Sequence, residues 1–520
     1  MRRFGRSGIG ALVGLLSAAV ALGVGETVAA FVRPAAAPVI TVGNRFVVLT
    51  PESVKRWAIR NFGTNDKNAL LTGIYLVLAL FAIAIGILAL RRLAYGIAGV
   101  VGFGIVGSYA ALTARAHHAS DVLPTIFGTL AGVVVMIVLA RAADAVSGDA
   151  RAADDTSATG YAGSTARRRF IQASAATAGL AALSGFGGRV AQHARFDVAA
   201  ARAKVRLPTP VETAPVLPDG VDLGKSQVPW QTPNASFYRI DTALSVPQID
   251  PNSWSVRIHG MVDREVRLTY AELTARPLIE RWITLCCVSN VVGGGLISNA
   301  RFLGARLADI LNLAGVHPDA DQLVMSSPDG MTIGAPTAVV MDGRDAMIAV
   351  GMNGVPLPVE HGFPARVVVP GLYGYVSACK WVVDIEATTY AAQAAYWVQG
   401  GWAAKTAIKL QSRIDTPHNG AKVAVGLPVA VAGIAWDQHV GVSRVEVQVN
   451  NGEWLPARLA GVPSTDTWRQ WVVAWTPPAP GSYALRVRAT DAAGSVQSAQ
   501  LRDVYPSGAT GLHSISVHAR

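Results

Sequence analysis

The chain has 520 residues, of which 51% are apolar and 15% charged, and a formal net charge of +11. That length allows three or four domains, and the apolar excess over ordinary soluble composition points to a membrane portion. The basic residues are scattered, with no basic run interleaved with aromatics, which argues against nucleic acid, and three cysteines are too few for a disulfide framework.

Segments 9–32, 69–90, 94–114 and 122–142 each supply the roughly 20 apolar residues that a spanning helix needs. Their centres carry no charge, and Glu26 lies near the end of the first. Arg2, Arg3 and Arg6 precede the first segment, Arg91 and Arg92 separate the second from the third, and Arg141 ends the fourth. Four crossings put these on one side, and the positive-inside rule makes that side cytoplasmic. Lys55, Arg56, Arg60, Lys67 and Arg115 on the other side dilute the asymmetry without reversing it. His117 and His118 follow the third segment. As neighbours they point about 100° apart on a helix, so they do not converge on a haem. No CxxCH is present, so no haem is expected and the membrane region reads as an anchor or docking platform.

Residues 144–166 are small and polar, the composition of a flexible linker. The stretch "ARRRFIQASAATAGLAALSGFGGRVA" follows. Arg167 and Arg168, then Phe170, Ile171 and Gln172, resemble a twin-arginine export signal leading into a weakly apolar fifth segment. Such a signal implies that everything after about residue 190 lies outside the cytoplasmic membrane and was folded before export.

From about residue 206 the pattern becomes that of a mixed α+β domain. "SWSVRIHG" (253–260) and "ARVVVPG" (365–371) read as strands, "YAELTA" (270–275) and "ARLADILNLAG" (305–315) as helices. The second helix places Leu307, Ile310, Leu311 and Leu313 on or near one face, with Gly315 as its stop. Between them stands "TLCCVSNVVGGG" (284–295), with two of the three cysteines side by side. Neighbouring cysteines are too close for good disulfide geometry. In a strand they face opposite ways, so one can serve a site while the other is core. Without further information both read as small core residues, or one as a thiol activated by a base such as His361. Gly293–Gly295 lack the GxGxxG spacing and strand–helix setting of a dinucleotide site, so NAD is not expected. They read as a place where the loop passes close to a cofactor.

"TLCCVSNVVGGG" resembles the segment of the sulfite-oxidase family of molybdopterin enzymes that gives the protein's thiolate to molybdenum. "MNGVPLPVEHGFPARVVVPGLYGYVSACKW" (352–381) and "TPNASFYRIDTALSVPQIDPNSWSVRIHG" (232–260) resemble two further segments of that family, in the family's order. The resemblance covers about residues 220–400. It implies a molybdenum–molybdopterin cofactor with Cys287 as metal ligand. It also implies His361, Arg366 and Lys380 as cofactor contacts, with Gly374, Ser377 and Ser327 as weaker ones. Asn234, Tyr238 and Arg239 are implied on the loop facing the metal, Arg239 drawing in an oxyanion substrate. The chain departs from the family at two places: Val291 and Val292 stand where arginine follows the Asn, and Val350 where a tyrosine lies near the metal. The substrate implied is a small oxyanion or, given those valines, a sulfoxide.

In the last hundred residues "VSRVEVQVNNGEW" (442–454) alternates Val445, Val447 and Val449 with Arg444, Glu446 and Gln448, then turns at Asn451–Gly452. "WRQWVVAW" (468–475), with Trp471, Val473 and Trp475 on one face, and "YALRVRATD" (483–491), with Tyr483, Leu485 and Val487, repeat the alternation. Short strands at this spacing make an immunoglobulin-like sandwich, and its position resembles the family's dimerisation domain, implying a homodimer.

The expected architecture is multi-domain. An all-α transmembrane bundle occupies 1–142, and a linker with the export signal and fifth segment 143–205. An α+β molybdopterin domain follows at 206–405, and an all-β immunoglobulin-like sandwich at 406–510. The expected function is two-electron oxygen-atom transfer by a membrane-anchored, extracytoplasmic oxidoreductase that contacts lipid and an external redox partner such as a cytochrome. The alternatives are sulfoxide reduction on the same cofactor, or a cofactor-free surface binding protein.

Overall fold

Long runs of Ala, Leu, Val and Gly with few charges form helices, and the structure, a computed structural model describing residues 3–62, 66–155, 162–225 and 228–520, begins with seven of them. They are α1 (Arg3–Val32), α2 (Pro38–Leu49), α3 (Glu52–Phe62), α4 (Asp66–Ala89), α5 (Leu93–Leu112), α6 (Leu123–Asp155) and α7 (Ala162–Phe196). With Thr242–Gln248 they make the first of two compact units. Four stretches, Gly5–Val32, Lys67–Ala89, Leu93–Leu112 and Ala119–Val146, are long and apolar enough to cross a membrane, which matches the segments expected. Glycines let α1 and α4 meet backbone to backbone: a Cβ on Gly14 would fall on the Ala82 carbonyl, and one on Gly86 on the Gly10 carbonyl.

The flexible linker is a correction. Helix α6 continues to Asp155 and helix resumes at Ala162, while 156–161 lie outside the described residues. Ala145, Ala150, Ala152 and Ala153 explain the extension, since alanine is the strongest helix former. The fifth segment lies within α7, which is 35 residues long but not among the helices apolar enough to span. It packs along α1 instead. Thr27 Oγ1 donates to the Ser184 carbonyl at 2.8 Å, and Gln192 Nε2 donates to Glu26 Oε2 at 2.9 Å. Arg167–Arg169 are exposed ahead of buried Phe170.

The second unit, Val198–Asp241 with Ile249–Arg520, holds two regions. In the central region one sheet runs β2 (Val266–Thr269), β1 (Ser255–Gly260), β10 (Asp384–Thr388), β5 (Gln322–Ser326), β6 (Thr332–Pro336). The other runs β3 (Leu278–Cys286), β4 (Ile297–Arg306), β7 (Met347–Met352), β8 (Val355–Pro356), with β9 (Arg366–Val368) also paired to β7. Alternation works as the sequence implies: Val256 and Ile258 of β1 are fully buried. The helix Leu307–Ala314 ends on Gly315 at φ +68°, where any Cβ would also strike Asp263. Its buried face is Leu307, Ile310, Leu311 and Ala314. Leu313 is exposed, being about 160° from Leu311 around the helix.

The C-terminal region is a sandwich. One sheet runs β11 (Gln411–Thr416), β13 (Val429–Trp436), β17 (Arg469–Trp475), β16 (Arg458–Leu459). The other runs β12 (Ala421–Val423), β19 (Ser514–Ala519), β18 (Gly481–Asp491), β14 (Val442–Val449), β15 (Trp454–Pro456). Val445, Val447, Trp471, Val473, Trp475, Leu485 and Val487 fill its core. The turn after β14 forms as expected, but its left-handed residue is Asn450 at φ 53° rather than Gly452. The boundary expected at residue 510 falls short, because "SISVHA" alternates and completes the sheet as β19.

Candidate active site

Strand β3 delivers the paired cysteines to a tight loop, and the two thiols part as a strand dictates. Cys286 is 1% exposed, packs in the central core and donates its thiol to the Cys287 carbonyl at 3.5 Å. Burial holds it well above the usual thiol range. Cys287 is 8% exposed and accepts the Ser289 N–H at 3.4 Å. Burial raises its pKa too, against which the Ser289 N–H works, so the free thiol is protonated and needs a metal to become thiolate. Asn290 closes the loop by accepting the Leu296 N–H at 2.8 Å, while Cys287 N–H donates to the Leu296 carbonyl at 2.9 Å.

The loop glycines face a different neighbour from the one expected. Gly293 is left-handed at φ +74°, and the His513 imidazole fills the place of its Cβ. The Gly294 carbonyl accepts Arg413 Nη1 at 2.6 Å, and a Cβ there would meet Asn290 Oδ1. Both serve contact with the C-terminal sandwich; only Gly295 has open space.

Opposite lies a basic cradle. Tyr238 stacks on Phe237, whose ring meets His361 edge-on at 5.4 Å. Burial first, then the Cys287 thiol, push the Tyr238 hydroxyl well above its usual range, so it stays a proton donor. A Cβ on Gly374 would sit 3.6 Å from that hydroxyl and 3.8 Å from the Cys286 carbonyl, so the absent side chain leaves the space between them open. His361 Nε2 lies 3.3 Å from the Asn234 carbonyl, which makes Nε2 the protonated nitrogen. Burial and the neighbouring Arg366 and Lys380 lower its pKa to about 4, so it is neutral. Asn234 Oδ1 accepts from Asn353 Nδ2 at 2.7 Å, tying this segment to the turn after β7. Lys380 is brought down to about 8 by burial, despite a 2.7 Å ion pair with Asp241, which also accepts Arg239 Nε at 3.0 Å.

Arg366 is the informative residue. It is 5% exposed, burial lowers it to about 10, and its one hydrogen bond goes from Nη1 to the His361 carbonyl at 3.2 Å. Its Nε is buried without a partner, and among the described residues no carboxylate pairs with it. A buried cation without a counter-charge costs several kcal/mol. Arg239, Arg366, Lys380 and neutral His361, with Asp241 paired to Arg239 and Lys380 but not to Arg366, fit a bound anion, which a phosphate-bearing pterin cofactor supplies.

Two further expected contacts have partners within the chain. Ser377 is fully buried, and its hydroxyl donates to the Leu372 and Tyr373 carbonyls, closing a turn. Ser327 bonds Asp329 within its own turn; that turn borders the cradle through Cys379, whose thiol is raised by burial and by Asp329 and lowered by Arg366. Val350 is fully buried in the core, so it has no part in the mouth, whereas Val291 is 44% exposed. Asp241, which no sequence motif singled out, clamps Arg239 and Lys380 together; the one local signal is the spacing Arg-x-Asp.

Residues 243–397 match the family described as "Oxidoreductase molybdopterin binding domain", and residues 411–487 the one described as "Bacterial Ig domain". The chain is 32% identical over 314 residues to the sulfite oxidase of Gallus gallus, covering 51% of this chain and 68% of that one. It is 31% identical over 160 residues to the oxidoreductase YuiH of Bacillus subtilis, covering 31% and 78%. It is 30% identical over 330 residues to the mitochondrial sulfite oxidase of Drosophila melanogaster, covering 53% of this chain and 56% of that one. The chain thus spans about half the length of the last relative.

Proposed function

The chain belongs to the sulfite-oxidase family of molybdenum-cofactor-dependent oxidoreductases, and from that premise we propose that it performs two-electron oxygen-atom transfer at a metal held by Cys287. The observation that carries this reading is the buried Arg366, without a carboxylate partner among the described residues, beside His361 and near the same Tyr238 that neighbours the Cys287 thiol. When bound, the molybdenum–pterin group supplies the two-electron couple and the site of oxygen exchange.

The chain's own residues do the rest. Arg366 and Lys380 hold the cofactor's phosphate, Arg as a planar donor and Lys as a point charge. Neutral His361 and Asn234 fix the cradle's aromatic wall. Tyr238, kept protonated, offers a donor to an oxygen near the thiol. Arg239, with 35% of its side chain exposed and steadied by Asp241, draws an anionic substrate in. We further propose that the four apolar helices anchor the chain in the cytoplasmic membrane, with the catalytic region outside it after twin-arginine export. An external carrier such as a cytochrome takes the electrons, and the chain pairs as a homodimer.

Val291 favours a second reading. A valine 44% exposed on the thiol loop supplies no charge for a small dianion and suits an organic sulfoxide. Molybdenum and pterin content of the purified full chain, with steady-state rates on sulfite and on sulfoxides using artificial carriers, test both. Stoichiometric molybdenum with turnover of either substrate supports the family chemistry; a metal-free, pterin-free protein sinks it.

A further inference from the structure

We propose that the C-terminal sandwich is a working part of the active centre, gripping the thiol-bearing segment at both ends, with Arg413 as the positioning residue. The inference rests on reading Cys287 as the metal-binding thiol.

The upstream grip is on Thr284, which is fully buried three residues before Cys287. Its N–H donates to the Asp466 carbonyl at 2.9 Å, its hydroxyl accepts the Trp468 N–H at 2.8 Å, and its carbonyl accepts Gln438 Nε2 at 3.3 Å. All three partners belong to the C-terminal region. The hydroxyl's own proton goes to Asn299 Oδ1 at 2.9 Å, on the neighbouring strand β4. Strand β3 is thus locked to the sandwich just before it turns into the loop.

The downstream grip is on the glycines. Arg413 lies in β11, where the register shifts between Ile414 and Thr416 as a bulge, a device that re-aims a side chain. Opposite the bulge stands Gly433, whose Cβ would collide with the Arg413 carbonyl. Arg413 is 7% exposed; Nε binds Asp415 at 2.6 Å, and Nη1 reaches the Gly294 carbonyl at 2.6 Å. His513 accepts the Ile414 N–H on Nδ1 at 3.0 Å and lays its ring on Gly293. A charge-assisted bond from a buried, paired guanidinium to one loop carbonyl is directional in a way that apolar packing is not. It sets the orientation of the loop peptide, and through Asn290 and Leu296 that of Cys287.

The test uses the full chain in two states. In cofactor-free protein, alkylation of Cys287 by iodoacetamide, followed by mass spectrometry, reads how often the loop opens. Arg413→Ala is expected to speed it about tenfold, His513→Ala about threefold, and Arg413→Lys to restore most of the protection because lysine can still donate to Gly294. In cofactor-loaded protein, Arg413→Ala is expected to lower the molybdenum-to-protein ratio several-fold with the oligomeric state unchanged. Arg488→Ala removes a 2.8 Å pair with Glu446 in the same sandwich and is expected to alter neither readout. Folded Arg413→Ala and His513→Ala proteins that alkylate at the parent rate, or an Arg488→Ala protein that alkylates as fast as they do, would overturn the proposal. An unchanged number of sulfur neighbours around molybdenum in Cys287→Ser, read by X-ray absorption, would instead overturn the ligand reading, and the alkylation rates would still decide the grip.

Discussion

The basic cradle and the thiol loop both neighbour Tyr238, and the chain treats them in opposite ways. Thr284, Asn290, Gly293 and Gly294 are each held by protein groups. Arg366 is buried with its Nε unbonded and, among the described residues, no carboxylate beside it. A fully satisfied segment is a frame; a buried group left short of partners marks the place of something the polypeptide does not itself provide. The difference separates residues that hold geometry from residues that hold a ligand.

The largest effect should come from the atom on which frame and ligand meet. Cys287→Ser should keep the fold and lower turnover by at least about 1000-fold, roughly 4 kcal/mol in the barrier. Cys286→Ser, which alters a core thiol, should retain most activity at a stability cost of about 1 kcal/mol; the reverse pattern in a turnover assay would exchange their roles. Next comes the cradle in acid. His361 in the cofactor-free protein has its pKa lowered from 6.5 to about 4, so the unfolded chain takes up its proton first. Stability is therefore complete above pH 6.5 and is lost as pH falls towards 4, by about 3 kcal/mol at most. Urea titrations across that range should show the slope, and His361→Gln should remove it. A smaller effect, opposite in sign for the two states, is expected of Arg366→Met: about tenfold less bound molybdenum, yet a cofactor-free form about 1 kcal/mol more stable because an unpaired buried cation is gone. Equal destabilisation of both states would make Arg366 part of the frame. The smallest concerns the mouth. Val291→Arg should lower KM for sulfite about fivefold and leave sulfoxide KM unchanged.

Much of this was legible in the chain. Alternation in "VSRVEVQV" and "WRQWVVAW", the stop at Gly315 and the four apolar runs carry local information, and local information is what periodicity records. The thiol loop and the cradle could be named because their residues stand close together in short segments. What could not be read were partners set by distant pairing. Thr284 meets residues 438, 466 and 468, and Gly293 meets residue 513; nothing near a glycine in sequence says whether its missing Cβ makes room for a cofactor or for a histidine. The Ser377 hydroxyl was illegible for a related reason: it looks the same in sequence whether it faces outward or closes its own turn, as here on the Leu372 and Tyr373 carbonyls.

The position of these supports along the chain sets a timetable. Gln438, Asp466, Trp468, Arg413 and His513 all lie in the last fifth or so of the polypeptide, more than a hundred residues after the cysteine they steady. While the ribosome is still producing that part, the loop has neither grip, so we expect the pocket to mature only after the C-terminal region has been made, with metal loading as a later event. Ribosome-arrested chains that end near residue 405 and carry a linker long enough to clear the ribosome should leave Cys287 open to alkylation, and released chains that include the C-terminal region should close it; protection already present in the arrested chain would contradict that order.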